Sequence, residues 1–272
     1  MQFHVLGPLA VVRNGAGLPL GSTKQQALLA CLLLRANQPT PMADLVDALW
    51  GMAPPASAVK NVQLYVSRLR RTLGPGGEER IRTAHGGYSL AVGPGELDLD
   101  RCRALAAEAQ LARRSGAPER ARTLLREALG LWRGGPLPRL AGTVWLEGEI
   151  RSLEEMRLML HEDYFQVLLD TGRHREAVPE LKRMVIAHPM QERFRFQLML
   201  ALSRAGDRSA ALAVYRSGYQ LLVNTLGIEP CRELRNLHDS ILADTAVTSP
   251  RPLRRAPGPL AAGAQRAVPV AL

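Results

Sequence analysis

The sequence predicts a mainly α-helical protein, with a winged helix-turn-helix over residues 1–95 and an all-helical repeat domain over residues 96–244. One observation behind this prediction is the length of 272 residues, which exceeds the roughly 100 to 200 residues usual for one domain. Another is the order of short β-prone runs, three helical patterns and a hairpin pattern in the first 95 residues. The last is a repeat with a period of 34 residues in the helical part.

The N-terminal segment QFHVLGPLAVVRNGAGLPL has short β-prone runs separated by Gly, Pro and Asn, and it predicts two or three small strands. A first helix is predicted to begin at Ser22, which forms a capping pair with Gln25 three residues later. This helix is expected to end at Asn37, before Pro39. The segment MADLVDALWG predicts a second, shorter helix that ends at Gly51.

A third helix is predicted from about Ala56 to Leu73, where the segment GPGG ends it. Its apolar residues recur at helical spacing and form one stripe, expected to pack on the first two helices: Val59, Val62, Val66, Leu69 and Leu73. The following segment ERIRTAHGGYSLAV has two β-prone arms joined through Gly86 and Gly87, which is typical of a hairpin. Small strands, three helices and a hairpin in this order are the layout of a winged helix-turn-helix.

The helical part repeats a turn glycine followed five residues later by an alanine, at Gly116–Ala121, Gly172–Ala177 and Gly206–Ala211. Glycine permits a tight turn, and alanine lets two helices approach closely, so the pattern resembles a tetratricopeptide repeat. Coincidence in an Ala-rich helical chain is the alternative. Residues 245–272 are rich in Pro, Ala and Arg without an apolar period, which predicts a disordered tail.

The net charge of +10 is unevenly distributed along the chain. Residues 1–95 have a balance of +5, residues 96–244 only +1, and the remaining tail +4. This distribution favours a polyanionic partner for the N-terminal domain. The spacing of Cys31, Cys102 and Cys231 fits neither a disulfide framework nor a metal site, so buried thiols are expected.

Several classes of protein are disfavoured by what the sequence contains. The longest apolar run, at 27–34, is too short to cross a bilayer, and MQFHVLGPL does not resemble a secretory signal. We therefore expect a cytoplasmic protein without a membrane partner. The segment GAGLPLGSTK lacks the Gly-Lys-Ser/Thr order of a phosphate-binding loop, and the six histidines are scattered. No catalytic residue, cofactor or metal is predicted, and the protein is not expected to be an enzyme.

The stretch KNVQLYVSRLRR at 60–71 has four cationic residues and no acidic one. Arginine can donate two hydrogen bonds to guanine, glutamine can pair similarly with adenine, and cations at the groove edge neutralise phosphates. Leu64 is the apolar exception, which either touches a thymine methyl group or packs on a neighbouring domain. We predict that the helix reads DNA through Lys60, Gln63, Leu64, Ser67, Arg68, Arg70 and Arg71.

Further DNA contacts are predicted outside the third helix. Thr83 and His85 flank the hairpin turn, where a wing meets the minor groove or the backbone, although His85 can equally be a plain turn residue. Lys24, at the start of the first helix, is placed for a phosphate. Two alternatives stay open: the cationic face is merely solvated, or the protein is a helical-repeat interaction protein whose basic domain binds protein or RNA.

Motifs along residues 1–244 resemble the Streptomyces antibiotic regulatory protein (SARP) family. MQFHVLGPLAVV, LGSTKQQALLACLLLRAN, DLVDALWG, PPASAVKNVQLYVSRLRRTLG and GGYSL are similar to its DNA-binding domain, an OmpR-type winged helix. LLREALGLWRG, LLDTGRHREAVPEL and YRSGYQLLVNTLGIEPCREL resemble the bacterial transcriptional activation domain that follows it.

The resemblance implies a transcriptional activator of antibiotic biosynthesis genes that acts at the nucleoid. Such proteins bind direct repeats near the −35 region, usually as two copies head to tail, and contact RNA polymerase including its sigma factor. By position, the resemblance assigns Lys60, Ser67, Arg68, Arg70 and Arg71 to the recognition helix, and Thr83 and His85 to the wing. The wing sequence TAHGGY lacks the arginine often found there. Larger relatives add an ATPase module, and control by a nucleotide is not expected in a chain that stops before it.

Overall fold

The computed structural model describes residues 1–140 and 144–243, so the predicted tail at 245–272 lies outside the described residues. The chain divides into two compact units, Met1–Arg173 and His174–Leu272. This division differs from the predicted domain boundary after residue 95. The first unit contains the whole winged helix together with the first part of the helical region.

The first unit opens with a small antiparallel sheet. Strands β1 (Gln2–His4), β2 (Ala10–Arg13) and β3 (Ala16–Gly17) lie in the order β1-β2-β3, with Phe3 opposite Val11. Both of these side chains are buried. The two or three strands expected from the sequence are therefore present.

Three helices follow, α1 (Thr23–Leu34), α2 (Met42–Trp50) and α3 (Ala58–Leu73). Ser22 and Gln25 form the predicted capping box. The helix α1 ends before the predicted Asn37, because Asn37 adopts a φ of 64° and donates its backbone N–H to Leu90. All three helices contact one another, so the helix-turn-helix has a shared core.

The wing follows a short helix, α4 (Gly77–Arg80), that was not predicted. Strands β5 (Ile81–Ala84) and β6 (Gly87–Leu90) form the predicted hairpin, and β4 (Thr40–Pro41) adds an unpredicted strand beside β6. A Cβ atom at Gly87 would lie 1.9 Å from the carbonyl oxygen of Thr40. Only glycine therefore permits this close pairing.

The helical region starts in the first unit with α5 (Asp98–Arg114), α6 (Pro118–Gly130) and α7 (Val144–Asp170). The second unit contains α8 (His174–Ala187), α9 (Glu192–Arg204), α10 (Arg208–Leu226) and α11 (Arg232–Leu242). The predicted repeat is visible in the backbone. Its turn glycines have φ values of 72°, 74° and 91°, and its alanines are all fully buried: Gly116–Ala121, Gly172–Ala177 and Gly206–Ala211.

The winged helix continues into α5–α7 through specific contacts, which explains why the first unit extends to Arg173. The backbone N–H of Phe3 donates to the Glu96 carbonyl at 2.7 Å, and Phe3 forms a parallel bridge with Leu97. The buried carboxylate of Asp98 accepts hydrogen bonds from the N–H groups of Val5 at 2.9 Å and Leu6 at 3.2 Å. In addition, α7 contacts both α1 and α2.

Two expectations about burial are corrected by the structure. Val59 is 47% exposed, whereas Ala58 is buried in its place. At 3.6 residues per turn, Ala58 lies about 20° from Leu69 around the helix and Val59 about 80°, so Ala58 faces the core. Cys31 and Cys102 are buried as predicted, but Cys231 is exposed because it precedes the first turn of α11 at the surface.

Candidate nucleic-acid interface

The helix α3 separates its residues into a buried stripe and an exposed face. Val62, Val66, Leu69 and Leu73 are almost completely buried. The opposite side exposes six residues, which we call the basic face: Lys60, Gln63, Leu64, Ser67, Arg68 and Arg71. The structure therefore brings together six of the seven α3 residues predicted to read DNA.

Within the part of the chain that the structure describes, the cations of the basic face are not neutralised. The side chains of Lys60, Arg68 and Arg71 form no hydrogen bond or ion pair with any group in residues 1–140 and 144–243. The sequence of α3 contains no acidic residue. These side chains can accordingly be neutralised by an external anion without first breaking an internal contact.

Arg70 lies at the edge of α3 and is held by the wing instead. Its Nε and Nη2 atoms donate to the carbonyl oxygen of Ile81 at 2.9 and 2.7 Å, and Nη2 also lies 3.3 Å from Thr83 Oγ1. The guanidinium is 5.8 Å from the ring centroid of Tyr88. Arg70 was predicted to contact DNA. In the structure, the hydrogen-bond donors of its guanidinium group connect α3 to the hairpin instead.

The tip of the wing is formed by His85 and Gly86, with φ values of 46° and 73°. Two successive positive φ angles are typical of a type I′ hairpin turn. His85 is exposed there, and Thr83 is exposed on β5 beside Arg70. Both predicted wing residues therefore lie at the surface, although Thr83 also takes part in the contact between α3 and the wing.

Lys24, which was predicted to contact a phosphate, is partly buried, and its side chain contacts the end of α2. Its Nζ atom donates to the carbonyl oxygen of Leu49, and it lies 5.5 Å from the ring centroid of Trp50. A cation at the carboxyl end of a helix satisfies free carbonyl groups and interacts favourably with the helix dipole. Lys24 is therefore engaged in joining α1 to the end of α2.

Two arginines near the basic face were missed by the sequence analysis. Arg82 is exposed on β5 and donates from Nε to the Glu79 carbonyl at 2.8 Å. The two-residue period of IRTA could have indicated its exposure, because Ile81 faces the core. Arg13 donates to the Leu73 carbonyl at 2.9 Å and so caps α3, a contact that no local pattern in the sequence indicates.

Metal-binding clusters and activated thiols are two features that many enzymes use. No group of three or more His, Cys, Asp or Glu residues in the described parts of the chain could hold a metal ion. Burial raises the pKa of Cys31 to about 12 and that of Cys102 to about 11, so neither thiol is an activated nucleophile. Among the described helices, none has the length and apolarity needed to span a membrane.

A winged helix whose third helix exposes unneutralised cations, followed by a helical repeat domain, defines a DNA-binding transcriptional regulator. Two family matches agree with this class. Residues 18–90 match the family described as "Transcriptional regulatory protein, C terminal", and residues 97–242 match the "Bacterial transcriptional activator domain".

Two individual relatives show to which family of regulators the chain belongs. The regulatory protein AfsR of Streptomyces coelicolor is 44% identical over 91% of this chain, and DnrI of Streptomyces peucetius is 36% identical over 89%. The match covers 92% of DnrI but only 25% of AfsR, so the chain spans about a quarter of the AfsR length. The chain belongs to the SARP family of transcriptional activators. The relatives are named regulators, in agreement with the expectation that the protein is not an enzyme.

A solved structure supports the same fold. Mycobacterium tuberculosis EmbR, in complex with a low-affinity phosphopeptide, superposes with a TM-score of 0.87 at 32% identity. The match covers 91% of this chain and 66% of the EmbR chain. The predicted fold class, an OmpR-type winged helix followed by helical repeats, is thereby confirmed.

Proposed function

We propose that the protein activates antibiotic or other secondary-metabolite genes by inserting α3 into the major groove at direct repeats near the −35 region. The observation that supports this most is the basic face, where three cations that have no partner among the described residues surround the polar side chains of Gln63 and Ser67. A solvated surface normally mixes charges of both signs. The major groove of DNA is flanked by negatively charged phosphates, so it accommodates a helix face whose charges are all positive.

Each residue of the basic face has a chemical role in this proposal. Arg68 and Arg71 donate in pairs to guanine O6 and N7, and Gln63 pairs with adenine N6 and N7. Lys60 neutralises a phosphate, while Ser67 donates to a phosphate or a base. At the wing, Thr83, His85 and Arg82 meet the backbone or minor groove beside it.

The proposed assembly on the promoter is the one that the resemblance to the SARP family implies. Two copies bind head to tail on consecutive repeats, and the helical domain contacts the second copy or RNA polymerase with its sigma factor. The relatives AfsR, DnrI and RedD are named regulators from Streptomyces, which supports a role in the regulation of transcription. The proposed place of action is the nucleoid in the cytoplasm.

A mobility-shift assay with promoter fragments tests the DNA contacts. Arg68→Ala combined with Arg71→Ala should raise the Kd at least about tenfold, because each bidentate base contact contributes about 1 to 3 kcal/mol. The matched control is Arg175→Ala combined with Arg183→Ala, which removes the same charge from two exposed positions on α8. This control should bind like the unmodified protein.

Footprinting across the neighbouring genes would then identify the bound sequence. Protection of two repeats in the same orientation is the expected pattern. Binding of equal strength by both double variants would refute the role of the basic face. Competition by RNA as strong as that by the promoter duplex would instead favour an RNA-binding protein.

A further inference from the structure

Leu64 occupies an unusual place for a leucine. It is 42% exposed, whereas the other leucines of α3, Leu69 and Leu73, are at most 1% exposed. At 3.6 residues per turn, Leu64 lies near the centre of the basic face, about 140° from Leu69 around the helix. Leu64 thus contributes little to the core of the folded chain and is available to a ligand.

The neighbours of Leu64 restrict what that ligand can be. Lys60 and Arg68 lie one turn before and one turn after it, and all three side chains are exposed. A protein surface apolar enough to cover Leu64 would also remove these cations from water, which costs free energy unless each is paired. The ligand must therefore offer a small apolar group among anionic groups.

Duplex DNA meets both requirements. Phosphates flank the major groove, and the C5 methyl group of thymine is the one apolar group that base pairs present there. Leucine cannot donate to a phosphate or a base edge. We propose that Leu64 is a specificity-determining residue, which packs on a thymine methyl group and selects a T·A pair within the recognition site.

The position of this thymine is limited by helix geometry. Side chains four residues apart are about 5 to 6 Å apart at their Cβ atoms, whereas successive bases on one strand are separated by about 3.4 Å. The selected thymine consequently lies within about two base pairs of the contacts made by Lys60 and Arg68. This inference rests on the proposed function, because it requires α3 to enter the major groove.

The test uses the full chain and a synthetic duplex of the footprinted site. Each thymine in turn is replaced by deoxyuridine, which removes only the C5 methyl group. One such replacement should raise the Kd of the unmodified protein about threefold to fivefold, as expected for one buried methyl group. Leu64→Ala should weaken binding to the thymine duplex by a similar or larger factor and should abolish the difference between the two duplexes.

Two further variants serve as controls. Leu64→Met keeps an apolar side chain of similar volume and should retain the preference for thymine. Leu111→Ala shortens another exposed leucine, 63% exposed on α5, and should change neither affinity nor preference.

The possible failures are distinguishable. If no deoxyuridine replacement weakens binding, or if Leu64→Ala keeps the same sensitivity, the inference about Leu64 is wrong. Continued dependence on Arg68 and Arg71 in that experiment would leave the proposed function intact. If the Arg68→Ala, Arg71→Ala variant also binds normally, the proposed function fails together with the inference.

Discussion

At the scale of residues, the arginines of α3 have two different tasks. Arg68 is exposed on the basic face without an internal partner among the described residues, whereas Arg70 is hydrogen-bonded to Ile81 and Thr83. Residues two positions apart on a helix point about 160° apart, so Arg68 faces outward while Arg70 reaches the wing. We therefore expect them to differ in their effects on folding and on DNA binding.

Replacing Arg70 should destabilise the protein. Arg70→Ala leaves the Ile81 carbonyl without its charged donor, so the free energy of unfolding should fall by about 1.5 to 3 kcal/mol. Arg70→Lys should recover only part of this loss, because a single ammonium cannot reproduce the planar fork. Urea unfolding followed by circular dichroism measures both values.

Arg68→Ala is the matched control for Arg70, since it removes the same charge from the same helix. Its unfolding free energy should stay within about 0.5 kcal/mol of that of the unmodified protein, while its affinity for DNA falls. Equal stability of Arg68→Ala and Arg70→Ala would contradict the positioning role of Arg70.

Contacts between residues that are close in the chain could be predicted from local sequence patterns. The Ser22–Gln25 capping box was predicted and is present, because both partners belong to one helical turn. The partners of Lys24 and Arg70 lie 25 and 11 residues away, on other elements. Helical periodicity specifies which face a side chain occupies but not which distant carbonyl it meets, so both were predicted as DNA contacts.

At the scale of elements, the three helices and the hairpin were predicted because each has a periodic pattern bounded by Gly or Pro. The elements β4 and α4 were missed. The two residues of β4 are too few to show a period, and their strand geometry results from pairing with β6. The glycine and alanine repeat, by contrast, was visible in the sequence because it recurs.

The repeat requires a small side chain at its buried alanine position, and this requirement can be tested. Ala211 in α10 is fully buried, whereas Ala213 in the same helix is exposed. Ala211→Leu forces extra volume into a packed contact, so the unfolding free energy should fall by about 1 to 3 kcal/mol. Ala213→Leu places the same side chain at the surface and should change stability by less than about 0.5 kcal/mol. Thermal unfolding of the two variants measures this difference in stability. Equal midpoints of unfolding would contradict the proposed packing of Ala211.

At the scale of the whole molecule, the predicted boundary after residue 95 followed a change in composition, whereas packing divides the chain after Arg173. The reason is that elements before and after residue 95 complete each other. Asp98 of α5 accepts hydrogen bonds from the N–H groups of Val5 and Leu6, and Arg133 donates its own N–H to the Leu6 carbonyl. Contacts across so many residues are not visible in a local pattern.

A fragment of residues 1–95 should therefore be less stable than a fragment of residues 1–173. The shorter fragment exposes the backbone groups that Asp98 and Arg133 satisfy, and it loses the contacts of α7 with α1 and α2. Each unsatisfied buried group costs about 1 to 3 kcal/mol, so a difference of at least about 3 kcal/mol in unfolding free energy is expected. Urea unfolding of the two fragments measures this difference.

Single substitutions in the full chain test whether the hydrogen bonds of Asp98 cause this difference in stability. Asp98→Asn keeps the shape of a buried side chain but loses the charge that binds two N–H groups and Arg133, whose Nη2 lies 3.2 Å away. Asp100→Asn, on the same helix, loses only an exposed pair with Arg103 at 3.7 Å. The Asp98 variant should lose about 2 kcal/mol and the Asp100 variant less than about 1 kcal/mol. Equal stability of the two fragments, together with an Asp98 variant no weaker than the Asp100 variant, would mean that the winged helix folds independently of α5–α7.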